Sequence, residues 1–350
     1  MNFRYINTKN IYPFDTHIIN GLKEIGHNVL EVNIDDEGIR KYFILAKKVL
    51  TDKNKYDATF IGFPSPLFAI IVGFICVFDS QKIIFNAVFS QYEANVLSRG
   101  IKKYSLVAIK YWIIDFISFH LAWKILLESN AQKKYVHNLV FVSKTKLVRS
   151  FSGINEKEFF YIPNITKQKE FTVLFRGRFL PESGIDTVIK TAHILETENI
   201  NFRIIGLGHM YREVNSLMAN LKPKNIEMIT KPLPIEELRI KMLECHISLG
   251  QLANHPRLAR TLPCKLFESL SLGLPYLTGR NEAVFELLEE NETCFAIEPG
   301  NPYDLAKKIL YLRDNTKILQ MVATNGYKLF KEKLTSTKLT KDIINNCFKK

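Results

Sequence analysis

Short apolar runs alternate with longer stretches whose apolar positions recur at helical spacing, and the alternation passes along the chain twice. In the first pass Phe3 to Ile6, Val29 to Ile34, Asp57 to Ile61, Lys82 to Phe85 and Ile125 to Glu128 read as strands. Helical spacing runs from about Thr16 to Ile25, near Ile39 to Leu50, and from about Tyr104 to Trp123. Between Ser129 and Pro163 the pattern does not resolve, and Val140 to Ser143 and Leu147 to Phe151 both read as strands. The polar, proline-bearing segment Pro163 to Lys169 marks a boundary, after which the alternation restarts. Strands are then expected at Phe171 to Phe175, Phe202 to Ile205, Ile226 to Ile229, Ile247 to Leu249, Tyr276 to Thr278 and Phe295 to Ile297. Helices are expected at Ser183 to Glu198, before Leu221, at Ile235 to Leu243, Pro263 to Leu272, Glu282 to Glu289, and from Tyr303 onward. Strands separated by helices imply parallel sheets covered on both faces. The pattern therefore predicts an α/β chain of two doubly wound domains, residues 1–165 and 166–330, with a tail at 331–350. Ligands are expected at the carboxyl ends of the strands, between the halves.

The stretch from Arg257 to Thr278, RLARTLPCKLFESLSLGLPYLT, is where this pattern meets chemistry. Thr261 is placed to cap a helix with Pro263 in its first turn, and Leu266, Phe267 and Leu270 keep helical spacing until Gly273. A helix start of this kind offers free N–H groups and a positive dipole end to a phosphate. Lys265 and Glu268, three apart, share a face that would present a cation to a diphosphate and a carboxylate to sugar hydroxyls. The same residues also read as an amphipathic helix with a surface Lys–Glu pair. Gly177-Arg178 directly follows a strand, and Arg178 offers a fork suited to diphosphate oxygens, or else is a solvated turn residue.

Composition narrows the partners. The 350 residues carry a net charge of +13, which suits nucleic acid, anionic lipid or phosphorylated small molecules alike. The excess is spread over Arg99 to Lys110, Lys133 to Arg149 and the tail, with no recognisable nucleic-acid module, so no nucleic-acid partner is expected. Five scattered cysteines without C-x-x-C read as reduced thiols of a cytoplasmic protein. The eight histidines form neither H-E-x-x-H nor a zinc-spaced pair, so no protein-bound metal is expected. Gly206-Leu207-Gly208 follows a strand, but Tyr211 stands where a dinucleotide fingerprint needs its third glycine, so no NAD or FAD cofactor is expected. His255 reads as a loop residue rather than a general base.

No signal-peptide core is visible at the N-terminus. The uncharged run Ile61 to Phe78 is broken by Gly62-Phe63-Pro64-Ser65-Pro66, which leaves a length suited to a buried helix. The apolar stretch Tyr104 to Leu127 holds Lys110, Asp115 and Lys124, costly in lipid. Lys102, Lys103, Trp112 and Trp123 instead allow it to lie on a membrane surface.

Five segments carry a resemblance. FRGRFLPESGIDTVIKTAHIL, FRIIGLGHM, NIEMITKPLPIEELRIKM, TLPCKLFESLSLGLPYLTG and FAIEPGNPYDLAKKILYL occur in this order. Together they resemble the donor-binding half of GT-B glycosyltransferases, specifically the large retaining family four. KIIFNAVFSQYEANV, Ile114-Asp115 and KILLES are similar to the acceptor half of one bacterial branch. The resemblance implies a GT-B fold of two Rossmann-like domains facing across a cleft. The first would bind the acceptor and the second the nucleotide-sugar donor, with a last helix crossing back onto the first. The donor set it implies is Gly177, Arg178, Gly206, Gly208, Thr230, Lys231, Pro232, Arg260, Thr261, Pro263, Lys265, Leu266 and Glu268. Arg178 would meet the diphosphate and Glu268 the ribose hydroxyls. Asn86, Ser90, Tyr92 and Glu93 would lie on the acceptor side; the latter three read equally as a polar turn after a strand.

Three positions depart from the family pattern: Ser183 replaces a second cation, Arg260 the first of two paired glutamates, and Asn86 a frequent aspartate. Lys265 or Arg260 would then supply the missing charge. The implied activity is retaining, metal-independent transfer of a hexosyl group to a glycan or glycolipid in bacterial cell-envelope polysaccharide synthesis. The protein would be cytoplasmic, with an anionic membrane surface as a possible partner. An epimerase of the same architecture and an inactive nucleotide-sugar binder are the alternatives.

Overall fold

The computed structural model describes residues 1–9, 11–77 and 81–348. By internal contacts the chain forms two units, Met1–Asn155 with Thr335–Lys350, and Glu156–Leu334. The polar segment from Pro163 to Lys169 lies inside the second unit.

The first unit runs β1 (Asn2–Thr8), α1 (Pro13–Glu24), β2 (Asn28–Ile34), α2 (Arg40–Thr51), β3 (Ala58–Ile61), α3 (Pro66–Val77), β4 (Ile83–Val88), α4 (Leu106–Leu121), β5 (Lys124–Leu127), α5 (Asn130–Val140) and β6 (Leu147–Arg149). The six strands pair in parallel in the order β2-β1-β3-β4-β5-β6. Strands β3 and β4 are buried along their whole length, which explains their unbroken apolar reading. One face packs Ile6, Ile61, Phe85 and Ile125 beneath α2 to α5. The other packs Tyr5, Phe60, Ile84 and Leu126 beneath α1 and a C-terminal helix that arrives from the second unit.

The second unit runs β7 (Phe171–Arg176), α6 (Ile185–Ile194), β8 (Ile200–Ile205), α7 (Tyr211–Leu221), β9 (Ile226–Ile229), α8 (Ile235–Leu243), β10 (Ile247–Leu249), α9 (Cys264–Ser271), β11 (Tyr276–Gly279), β12 (Phe295–Ile297), α10 (Pro302–Asp314) and α11 (Thr316–Leu329). Its sheet is also parallel, in the order β12-β11-β10-β7-β8-β9. A π turn at Phe330–Leu334 leads into α12 (Ser336–Phe348), which lies on α1. Gly21 makes that seat possible: a Cβ there would stand 2.1 Å from the Thr340 hydroxyl and 2.4 Å from the Ser336 carbonyl. Ile343 and Cys347 complete the core on that side. The helix expected to cross back onto the first unit therefore does so.

Several expectations need correction. Ser129 caps a full helix, α5, by accepting from the Gln132 N–H, so Val140 ends a helix instead of opening a strand. Glu282 to Glu289 contains only a short 3-10 turn at Val284–Glu286, because Ala283, Val284 and Leu288 are buried while the segment closes on Thr293 and Cys294. Trp112 points inward, its indole N–H donating to the Leu139 carbonyl, and Trp123 packs beside Phe348. Neither tryptophan is therefore set as a membrane anchor. The uncharged run becomes the twelve-residue α3, with Phe78 outside the described residues. No helix among the described residues is long and apolar enough to cross a membrane.

Candidate active site

Strand order in the second unit reverses between β7 and β10, the place in a doubly wound sheet where loops part and a crevice opens. Lys265 on α9 reaches this point. Its Nζ lies 3.4 Å from the Gly250 carbonyl after β10 and 4.2 Å from the centre of the Phe175 ring on β7. The side chain is buried, and among the described residues it makes no ion pair. Burial pushes its ammonium down to about 7; neighbouring Arg176 adds to the shift and Glu268 opposes it.

Glu268, one turn along α9 and 3% exposed, accepts from Arg176 at both carboxylate oxygens. Arg176 is the last residue of β7, and its guanidinium stands over Phe159, 5.5 Å from the ring centre. Arg178 is exposed and makes no hydrogen bond or ion pair among the described residues. Sequence reasoning chose Arg178 and missed Arg176. The available signal was that both arginines flank Gly177 after the expected strand Phe171 to Phe175, and only Arg178 was given a role.

Helix α9 starts later than expected. Pro263 is its N-cap and Cys264 its first residue, with no side chain capping it. The Thr261 hydroxyl instead donates to the Arg257 carbonyl, and Leu262 is fully buried. The N-cap side chain gives α9 no capping bond, and the positive end of the helix suits an anion. Leu266 is buried on the core side, and Pro263 and Thr261 are half-buried.

The glycines have a local role. A Cβ on Gly206 would meet the Gly177 carbonyl at 1.8 Å, and one on Gly208 would meet the Phe179 backbone at 2.5 Å. Gly206 and Gly177 also have φ of +159° and +147°. The loops after β7 and β8 are therefore pressed together, with Gly177 N–H donating to Ile205 and Met210 N–H to Phe179. Thr230, Lys231 and Pro232 follow β9 next to this pair, Lys231 and Pro232 being exposed. Ser183 cannot stand in for a cation: it is fully buried, donating to the Leu180 carbonyl and accepting from the Leu180 N–H. Arg260 is half-buried at the end of the 3-10 turn Pro256–Ala259. Before it, Arg257 pairs at 2.7 Å with Glu182, a buried carboxylate that sequence reasoning did not single out.

His255 accepts from the Arg257 N–H, and with Asn254, Arg280 and Asn281 it lines a cavity of about 240 Å³. The lining of that cavity does not include Arg178, Lys265 or Glu268. No group of three or more potential metal ligands is found among the described residues.

Residues 157–329 match the family described as glycosyl transferases group 1. That stretch is a group 1 glycosyltransferase domain. A curated relative, an uncharacterized glycosyltransferase of Methanocaldococcus jannaschii, is 24% identical over 201 residues; the match spans 57% of this chain and 53% of the relative. Among solved structures, Anabaena HepE in complex with UDP aligns with a TM-score of 0.75 and 12% identity over 99% of both chains. HepE in complex with UDP-glucose gives 0.75 and 13%, over 99% of this chain and 98% of that one. Sucrose-phosphate synthase of Thermosynechococcus elongatus gives 0.72 and 13%, over 98% and 97%. These likenesses show a GT-B fold.

The first unit, taken by itself, holds a second polar cluster where its strand order reverses, between β1 and β3. Asp15 accepts from the Tyr5 hydroxyl at 2.8 Å, the Phe63 N–H at 3.1 Å and the Asn86 amide at 2.8 Å. Burial pushes its carboxyl up to about 6, against those hydrogen bonds. Asn7 is buried, and both polar atoms of its side chain lack a partner among the described residues. Asn86 was a sequence candidate; Asp15 and Asn7 were not.

The remaining acceptor candidates form a different group. Ser90 donates to Asp115 at 2.7 Å, and Asp115 also accepts from the Gln91 and Tyr92 N–H groups. Glu93 is fully buried and accepts from Gln132 at 2.7 Å, and the Tyr92 hydroxyl donates to the Lys103 carbonyl. These side chains hold the loop after β4 to α4 and α5.

Proposed function

We propose that this protein is a retaining glycosyltransferase that moves a hexosyl group from a nucleotide-diphosphate sugar to a glycan or glycolipid acceptor, in bacterial cell-envelope polysaccharide synthesis. The observation that carries the reading is Lys265: a buried ammonium at the β7/β10 reversal with a carbonyl and a ring face beside it but no carboxylate of its own. A buried cation without a counterion is costly, and a bound diphosphate removes that cost. The HepE structures were solved with UDP and UDP-glucose, which makes UDP-glucose the first donor to test.

Cleavage of the sugar–phosphate bond puts positive charge on the sugar and negative charge on the departing diphosphate. Lys265, the exposed guanidinium of Arg178 and the positive dipole end of α9 stabilise that negative charge. Glu268 holds the ribose hydroxyls, with Arg176 fixing the carboxylate. Retention follows if the leaving phosphate accepts the proton of the attacking hydroxyl, which asks for no protein base. On the acceptor side, Asn7 offers an unpartnered amide to a sugar hydroxyl. A lipid-linked acceptor would place the reaction at the cytoplasmic face of a membrane.

The test is donor hydrolysis and transfer by the purified chain across a panel of nucleotide sugars, beside Glu268→Ala. Turnover lost in the variant supports the reading. A chain whose melting point no nucleotide shifts, and which consumes no donor, refutes it. Donor bound but never consumed would leave a binder, not an enzyme.

A further inference from the structure

Helices α2, α3 and α4 lie side by side over one face of the first unit's sheet. Each buries one apolar stripe there, through Leu45 and Val49, Phe68 and Val72, and Phe119. A helix covering a sheet usually turns polar residues outward. Here the outward faces carry large apolar residues as well, on α2 beside Arg40, Lys47 and Lys48. Phe43 is 72% exposed, Phe74 56% and Leu106 86%, with Ile39, Leu50 and Ile113 also exposed at helical intervals from them. By contrast, α7 in the second unit turns out Arg212, Glu213, Asn215 and Ser216. Three neighbouring helices with apolar outer faces form a patch larger than scattered surface hydrophobics explain.

Within the three helices the charges are one-sided; Asp35, Asp36 and Glu37 lie just before α2, Asp36 pairing with Arg40 at 3.5 Å. Helix α3 has no charged residue, and the only carboxylate within the three helices is Asp115, which is buried. Lys47, Lys48 and Lys110 are exposed on the helices, as are Lys102 and Lys103 just before α4. At the edge of the face a cavity of about 270 Å³ is bounded by Thr8, Lys41, Tyr42, Ser65, Leu67 and Lys110. Ser65 is buried, and its hydroxyl has no partner among the described residues.

We infer that the α2–α3–α4 face docks on an anionic lipid bilayer, its apolar residues entering the headgroup boundary and its lysines meeting lipid phosphates. The cavity between Lys41, Ser65 and Lys110 receives one phosphate headgroup. Within the three helices every exposed charge is a cation, and the carboxylates of Asp35, Asp36 and Glu37 are confined to the turn before α2, so the helix faces complement such a surface. A two-fold dimer through the same face would instead set lysine against lysine. Since no described helix is long and apolar enough to cross the bilayer, the face lies on it. The inference extends the proposed reaction by giving a lipid-linked acceptor a surface to be met on, but its test needs no donor.

The full chain is floated with vesicles of phosphatidylcholine alone or mixed with phosphatidylglycerol, without nucleotide sugar. Wild type is expected to float with the anionic vesicles, much less with the neutral ones, and less as salt rises. Phe43→Asp with Phe74→Asp should reduce partition about tenfold or more at an unchanged melting point. Lys41→Glu with Lys110→Glu should cost roughly fivefold per lysine on anionic vesicles only. Tyr303→Asp with Tyr311→Asp, exposed in the second unit, should change nothing. The inference is overturned if wild type stays free of anionic vesicles, or if the Phe43/Phe74 variant binds like wild type. It is equally overturned if wild type is a dimer that this variant turns into monomers. Vesicle binding without donor turnover would keep this inference and refute the transferase reading; turnover without vesicle binding would do the reverse.

Discussion

Each unit reverses its strand order once, and the two reversals carry opposite chemistry. Between β7 and β10 stand Lys265, Arg176 and Glu268, two cations and one carboxylate. Between β1 and β3 stand Asp15, Asn7 and Asn86, with no cation bonded to Asp15. Parallel sheets of the same winding thus carry a cation-rich cluster in one unit and a cluster of one carboxyl and two amides in the other. The fold supplies the position and a few side chains supply the sign of charge.

If the comparison is right, the largest effects belong to the second reversal. Glu268→Ala and Lys265→Met should each lower transfer about 100-fold or more, the scale of losing one preorganised charge contact. Equal losses from Asn7→Ala in donor hydrolysis without acceptor would break the distinction. Asn7→Ala should instead raise the acceptor KM and leave donor hydrolysis intact.

Next in size is a stability effect of opposite sign in the two units. Lys265 is held down to about 7, so its unfavourable contribution grows as pH falls from its unfolded value toward 7. Lys265→Met should therefore stabilise the free chain at neutral pH, by on the order of 2 kcal/mol. A higher melting point with lost activity is the expected pair of readings. Asp15 is held up at about 6, so its contribution is present below its unfolded value and is lost as pH rises through 6. Asp15→Asn should cost about 1–3 kcal/mol, because an amide offers its NH₂ to groups that are themselves donors. It should also flatten the pH dependence of melting between about 4 and 6.

The smallest expected effect is that of His17 on α1, buried, with Nδ1 3.0 Å from the Pro13 carbonyl and Nε2 unpartnered among the described residues. Burial pushes its imidazole down to about 4, so stability is lost as pH falls from its unfolded value through 4. His17→Gln should weaken acid unfolding. Melting curves across pH read both variants.

The architecture was legible because its signals are local. Apolar runs gave the strands, Gly273 gave the stop after α9, and the ordered segments from Phe175 to Leu312 gave the family resemblance. What failed was also local in cause. Thr261 has the residue type of a cap, but its hydroxyl turns back to Arg257, and Leu262 is drawn into the core. Ser129 was an equally good cap that was not recognised, which hid α5. The site was half legible. Lys265 and Glu268 share a helix face and are found by spacing, whereas Arg176 meets Glu268 only through the folded sheet. Asp15 and Asn7 are joined to Asn86 by strand order alone, and no spacing rule reaches across β1, β3 and β4. The outward apolar stripes were in the sequence too, but an apolar residue does not announce which side of a helix is covered.

The most direct measurement is calorimetric titration of the chain with UDP-glucose at about pH 8, in buffers of different ionisation enthalpy. A diphosphate seated on Lys265 must restore its proton, so binding should take up a substantial fraction of one proton, about one at most. That uptake should vanish in Lys265→Met, while Glu268→Ala should weaken affinity but keep the uptake. Binding without proton uptake, or binding that both variants leave unchanged, would contradict the placement of the donor diphosphate at the β7/β10 reversal.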